Sequence, residues 1–226
     1  MKTIVIIPAF NEEASVPKVI MAIPAAEVAA IIVVNNNSSD NTAKVAAAAG
    51  AIVLHEPRQG YGYACLKGIA YAETLGAELV VFMDADFSDF PEQIVALKKP
   101  ILNDGFDMVI GSRALGKQEV GAMTPQQIFG NWLATRLMRI FYGVHYTDLG
   151  PFRAIRFSAL QSLKMEDKTY GWTVEMQLKA AKLGLKSCEV PVDYRLRIGV
   201  SKVSGTIKGT IMAGYKILGW IFKYMF

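Results

Sequence analysis

The stretch VVFMDADFSDF, residues 80–90, places two carboxylates, Asp84 and Asp86, directly after an apolar run with the length and composition of a buried strand. Buried carboxylates are costly unless something cationic meets them. In an extended segment, residues two apart point the same way, so Asp84 and Asp86 can present oxygens to one hard cation. Mg²⁺ keeps waters and takes one or two carboxylates plus substrate phosphates, which suits a diphosphate ligand. The competing reading is an acidic cap for the helix that begins at Pro91 and Glu92.

Outward from this stretch, similar apolar runs recur at TIVIIP (3–8), AAIIVV (29–34), AIVLHE (51–56) and DMVIG (107–111). Helical patterns separate them, at roughly 13–23, 40–49, 62–75 and 91–103. Short continuous apolar strands alternating with helices predict an α/β domain, with a mostly parallel central sheet and helices on both faces. Ligands of such sheets sit outside the carboxyl ends of the strands. The polar, irregular segments PAFNEE, NNNSSDNT, EPRQGYG, DADFSD and GSR all fall at those ends. Any one of them is ordinary turn chemistry; five on one rim point to a site.

Beyond residue 111 the pattern changes. Residues 112–125 lack periodicity and read as a mobile loop. A helix at about 126–142, the segment HYTDLGPFRAIR, a helix containing GWTVEMQLKAAKLG, a strand in KSCEVPVDYR and the polar loop RLRIGVSKVSGT follow. There are no repeats or low-complexity linkers, so residues 1–226 read as a single domain.

The 226 residues, 52% hydrophobic, can supply a sizeable core. The formal charge of +4 suits an anionic small molecule or an anionic membrane surface, and no nucleic-acid-binding signature is present. Two cysteines, Cys65 and Cys188, fit neither a disulfide framework nor a zinc site and agree with a reducing cytosol. Pro8, Glu12 and Glu13 arrive too early for a signal peptide.

Together, IVIIPAFNEE, VVNNNSSDNT, FMDADFSD and TDLGPFRAIR resemble family 2 glycosyltransferases of the GT-A fold, close to the dolichyl-phosphate mannosyltransferase type, and the resemblance runs over nearly the whole chain. It implies a nucleotide-sugar site with Pro8, Phe10 and Glu12 against base and ribose, and Asn35 and Asn36 near the base. Arg58 and the GYGYA segment, residues 60–64, would line the same pocket, Gly60 and Gly62 letting backbone come close. Asp84, Ala85 and Asp86 would be the family's DXD motif, holding Mg²⁺ or Mn²⁺ on the donor diphosphate. Asn35 stands where many relatives carry an acid, and Ser88 where some carry a glutamine that helps with the metal.

The implied reaction moves a sugar from a GDP- or UDP-sugar to a lipid-linked acceptor, a polyprenyl phosphate above all, with inversion, at the cytosolic face of a membrane. A phosphate acceptor is already an anion, whereas a lipid or saccharide hydroxyl needs a base. The candidate bases are Asp148, beside the GPFR segment, and Glu175 in GWTVEMQ, with Arg113 completing the catalytic group. Their structural alternatives are a turn-forming Asp and a solvated helical Glu. Arg153, Arg195, Arg197 and Lys202 are candidate phosphate ligands, with a basic surface loop as the alternative for the last three. A different class of protein, a non-catalytic sugar-nucleotide or lipid binder, also accommodates Asn35.

The last segment, residues 206–226, reads as an amphipathic helix. Lys208, Lys216 and Lys223 fall within about 80° on a helical wheel, and Trp220, Phe222 and Phe226 are placed for the acyl boundary of a membrane interface. Packing on the domain core is the alternative.

Overall fold

The computed structural model describes residues 1–199 and 207–224, so Lys202 and Phe226 lie outside the described residues. Seven strands form one sheet: β1 (Thr3–Ala9), β2 (Ala30–Asn35), β3 (Ile52–His55), β4 (Leu79–Phe82), β5 (Met108–Ser112), β6 (Arg153–Arg156) and β7 (Ser187–Pro191), in the order β3-β2-β1-β4-β6-β5-β7. All neighbours are parallel except β6, which runs antiparallel to both β4 and β5.

The alternation of β1 divides the interior. Ile4 and Ile6 face one apolar core, and Val5, Ile7 and Ala9 face the other. Helices α1 (Val16–Ala22), α2 (Thr42–Ala48) and α4 (Ile94–Asn103) cover the Val5 face. The Ile4 face is covered by α3 (Tyr61–Thr74), α5 (Pro125–Tyr142), α6 (Phe157–Leu163), α7 (Trp172–Lys182) and α8 (Ile207–Lys223). Burial on both faces is why these strands are written as unbroken Ile, Val and Leu rather than alternating with polar residues.

Strand order reverses between β1 and β4, so their carboxyl ends diverge into a crevice. The antiparallel β6 brings its own start to the same rim, with Arg153 opposite Phe82 at the end of β4. That is how the 148–152 segment, far away in sequence, comes to lie near Asp84.

Two expectations change here. The 112–125 loop is tied down: Gln118 forms a bridge with Tyr194, Glu119 N–H donates to the Tyr194 carbonyl, and Gln118 donates to the Arg113 carbonyl. Helix α8 has one face in the core, so Trp220, expected in an acyl boundary, is 8% exposed and donates its indole N–H to Asp167 at 2.7 Å. Its opposite face, with Ile211, Met212, Tyr215 and Phe222, is exposed.

Candidate active site at the carboxyl edge of the sheet

Asp84 and Asp86 leave β4 into a tight turn in which Phe87 adopts a left-handed backbone, φ 62°, a conformation that costs energy in a bulky residue and needs support. Arg195 supplies it. Its guanidinium lies 3.5 Å from the Phe87 ring centroid and 4.2 Å from that of Phe90, and donates to the carbonyls of Phe87 and Asp89. Arg195 was a candidate phosphate ligand; its donors are directed instead at the backbone that carries Asp86.

Asp86 is 6% exposed. One oxygen accepts from the Ser88 backbone N–H at 2.9 Å and from the Ser88 hydroxyl; the other pairs with Arg197 Nη1 at 3.1 Å. Arg197 Nη2 reaches Glu12 at 3.1 Å, and Glu12 also accepts from Ser15 Oγ at 2.7 Å. The structure therefore brings Glu12, from the β1 rim, against Asp86, from the β4 rim, across one guanidinium.

Asp84 accepts from the Tyr61 hydroxyl at 3.1 Å. Burial first, and the Asp86 charge second, push its carboxyl up to about 7. Asp89 is 2% exposed with neither carboxylate oxygen hydrogen-bonded among the described residues, and burial raises it as well. Two buried carboxylates, Asp86 and Asp89, and the partly buried Asp84 thus converge, with Arg197 paired to Asp86, so that among the described residues the site carries more negative than positive charge. A divalent cation fits that deficit. Among the described residues no cluster of three His, Cys, Asp or Glu side chains is arranged to hold a metal alone.

The other candidates divide. Pro8 is buried within β1 and Phe10 is partly exposed just beyond it. Asn35, 8% exposed, accepts from Ser38 N–H at 3.1 Å in a local turn. Asn36, expected near a base, spends its amide on the chain: Nδ2 donates to the carbonyls of Glu56 and Arg58, and Oδ1 accepts from Gly60 N–H. Arg58 lies over the Tyr63 ring and forks onto Glu56 at 2.8 and 3.0 Å, holding that carboxyl down to about 2.

Gly60 and Gly62 do permit a close approach, but of the chain to itself. A Cβ at Gly60 would stand 2.2 Å from the Lys168 carbonyl oxygen, and one at Gly62 2.1 Å from that of Asp167. Gly62→Ala must therefore push the 167–168 segment off the start of α3, where Tyr61 is positioned for Asp84. We expect a loss of about 3 kcal/mol by the overpacking scale, read as a lowered denaturant midpoint together with weaker nucleotide binding.

Glu175, expected as a base or a solvated helical residue, is neither. It is fully buried in the first turn of α7, accepts from the N–H groups of Glu166 and Asp167 at 2.7 and 2.8 Å, and pairs with Lys179 at 2.7 Å. Arg153 is likewise withdrawn from phosphate binding. It is fully buried, donates to the carbonyls of Leu149, Gly150 and Thr173, and is brought down to about 10 by burial. Asp148, also fully buried, is forked by Arg113, with Nε and Nη2 each at 2.7 Å and the Arg113 backbone N–H at 2.8 Å.

Sequence reasoning did not find Asp89 or Asp167, and it placed Tyr61 only as part of the GYGYA segment lining the pocket, between two glycines at the start of a helix that follows a strand.

Residues 4–164 match the family described as Glycosyl transferase family 2. An uncharacterized glycosyltransferase of Mycobacterium tuberculosis is 38% identical over 92% of this chain and 93% of its own. An undecaprenyl-phosphate mannosyltransferase of Micrococcus luteus is 35% identical over 70% of this chain and 66% of its own. Among solved structures, glucosyl-3-phosphoglycerate synthase of M. tuberculosis, crystallised with Mn²⁺, UDP-glucose and phosphoglyceric acid, superposes with a TM-score of 0.79 over 99% of this chain and 79% of its own, at 22% identity. That likeness is one of fold, the GT-A fold. The rim of Glu12, Asp84 and Asp86 is thus set in the sheet of a glycosyltransferase, and the chain belongs to glycosyltransferase family 2.

Proposed function

We propose that the protein transfers a sugar from a nucleotide diphosphate sugar to a polyprenyl phosphate, with a divalent cation held by Asp84 and Asp86, at the cytosolic surface of a membrane. The observation that carries the donor half is the excess of buried carboxylate where strand order reverses. When bound, Mg²⁺ or Mn²⁺ would supply charge stabilisation for the leaving diphosphate. The chain's own contributions are positional. Ser88 fixes one oxygen of Asp86, and Tyr61 orients Asp84. The turn through Phe87, clamped by Arg195, holds the backbone that carries Asp86.

The acceptor half is supported by what Asp148 and Glu175 are doing. Both are fully buried, with both oxygens engaged by Arg113 or by backbone N–H groups. Neither is free to take a proton from a hydroxyl. A phosphate acceptor needs no such step. The Micrococcus relative's name, undecaprenyl-phosphate mannosyltransferase, is in keeping with that acceptor class.

Lipid contact is supported by exposed apolar side chains on two neighbouring helices: Phe129, Trp132 and Ile140 on α5, and Ile211, Tyr215 and Phe222 on α8. The rings of Phe141 and Phe222, 5.9 Å apart, join the two faces. No helix among the described residues is long and apolar enough to cross a membrane, so the reading is of a surface laid on lipid.

The test is transfer from radiolabelled UDP- and GDP-sugars to polyprenyl phosphate or to the matching polyprenol in anionic vesicles, with Mg²⁺, Mn²⁺ or EDTA. Product on the phosphate alone, lost with EDTA, is expected. Equal labelling of the alcohol would refute the anionic acceptor, and metal-independent transfer would refute the cation.

A further inference from the structure

Arg197 is the guanidinium that bridges the two sides of the site, and its contacts are unusual for a ligand-binding arginine. Nη1 is 3.1 Å from Asp86, Nη2 is 3.1 Å from Glu12, and Nε is buried with no hydrogen-bond partner among the described residues. The other oxygen of Asp86 is already taken twice, by the Ser88 N–H and hydroxyl. The oxygen that Arg197 covers is therefore the one Asp86 has left for a cation.

We propose that Arg197 is an internal counter-ion that competes with free metal for Asp86 and exchanges its carboxylates for phosphate oxygens when metal and nucleotide diphosphate enter together. This rests on the donor-site reading above. A divalent cation and a guanidinium cannot share one buried carboxylate oxygen without mutual repulsion. Metal arriving alone must break the charge-assisted hydrogen bond between Arg197 and Asp86 and leave the guanidinium with Glu12 alone. Metal arriving with a diphosphate brings anionic oxygens that match the guanidinium fork, and Nε, idle in the present arrangement, gains an acceptor. The exchange is short-range. Ile198 N–H donates to the Asp86 carbonyl at 2.9 Å, so the backbone beside Arg197 stays anchored to the metal-bearing turn while the side chain swings. The consequence is that nucleotide and metal bind with strong positive coupling, and free metal is held poorly.

The distinguishing experiment measures Mn²⁺ binding by electron paramagnetic resonance, on the full chain, with no nucleotide and with saturating UDP or GDP. In wild type, nucleotide should tighten Mn²⁺ binding about a hundredfold, within the usual range of coupling between sites. Arg197→Met should move the two affinities in opposite directions: Mn²⁺ alone binds several-fold tighter, because its competitor is gone, and Mn²⁺ with nucleotide binds about tenfold weaker, as for loss of a charge-assisted contact. Arg197→Lys, which keeps the charge without the fork, should fall between them, and it serves if the methionine variant folds poorly. A shift of both affinities in the same direction, or of neither, overturns the exchange. If wild type binds no Mn²⁺ with either nucleotide, the donor-site reading itself has failed, and the proposal with it.

Discussion

Asp86→Ala is expected to eliminate the metal-dependent part of nucleotide binding and to lower turnover by roughly two to three orders of magnitude, the scale of losing a preorganised electrostatic contact. Asp86 is the rim carboxylate with one oxygen fixed by Ser88 and the other turned to a cation, and it faces Glu12 across Arg197. Removing it leaves Asp84 as the remaining carboxylate of the pair. It also removes the charge that helps hold the Asp84 carboxyl near 7, so Asp84 ionises more readily but without a companion. The fold should survive, because Asp86 belongs to neither apolar core and Arg197 keeps Glu12. Titration calorimetry with UDP- or GDP-sugar, with and without EDTA, checks this against the thermal midpoint of the same variant. Binding that stays EDTA-sensitive and as tight as wild type would remove Asp86 from the proposed metal site.

The part of this protein legible in its sequence is the part governed by continuous burial. The first five strands and the helices between them were predicted within a few residues, because a strand covered on both faces has to be apolar throughout. The two rim aspartates were readable for the same reason, as charge placed where such a strand ends. β6 was not. Its four residues are Arg-Ala-Ile-Arg, and nothing local announces a strand whose first guanidinium will be buried against three carbonyl groups.

The arginines show the limit most clearly. Arg153, Arg195 and Arg197 are equivalent in sequence as sources of positive charge, yet the first two donate to backbone carbonyls and only Arg197 meets carboxylates in the site. Which partner a guanidinium finds depends on long-range register, here the antiparallel insertion of β6 and the return of the chain after β7. Gly60 and Gly62 repeat the lesson. Their small size correctly signals close approach, but the approaching backbone comes from residues 167–168, more than a hundred positions away.

Asp148→Asn separates a buried structural carboxylate from a catalytic base, and the expected outcome is loss of stability before loss of chemistry. Asp148 is fully buried, and Arg113, 9% exposed, forks onto it and lies 5.0 Å from the Tyr194 ring centroid. The asparagine keeps the shape but cannot neutralise a guanidinium that Asp148 holds strongly in its charged form. Breaking one side of such a pair costs about 3–5 kcal/mol, which for a chain of this size corresponds to a fall in thermal midpoint of roughly 10 °C. The loop that Arg113 steadies through Gln118 should loosen with it. A base would behave otherwise: the variant would melt as wild type does and lose only turnover. The double variant Arg113→Met with Asp148→Leu makes the distinction sharper, since replacing both members of a buried ion pair by apolar groups is often close to neutral. Its midpoint should recover most of the loss. If it does not, the pair contributes more than mutual compensation, and the geometry of the 148–152 segment at the rim depends on that ion pair directly.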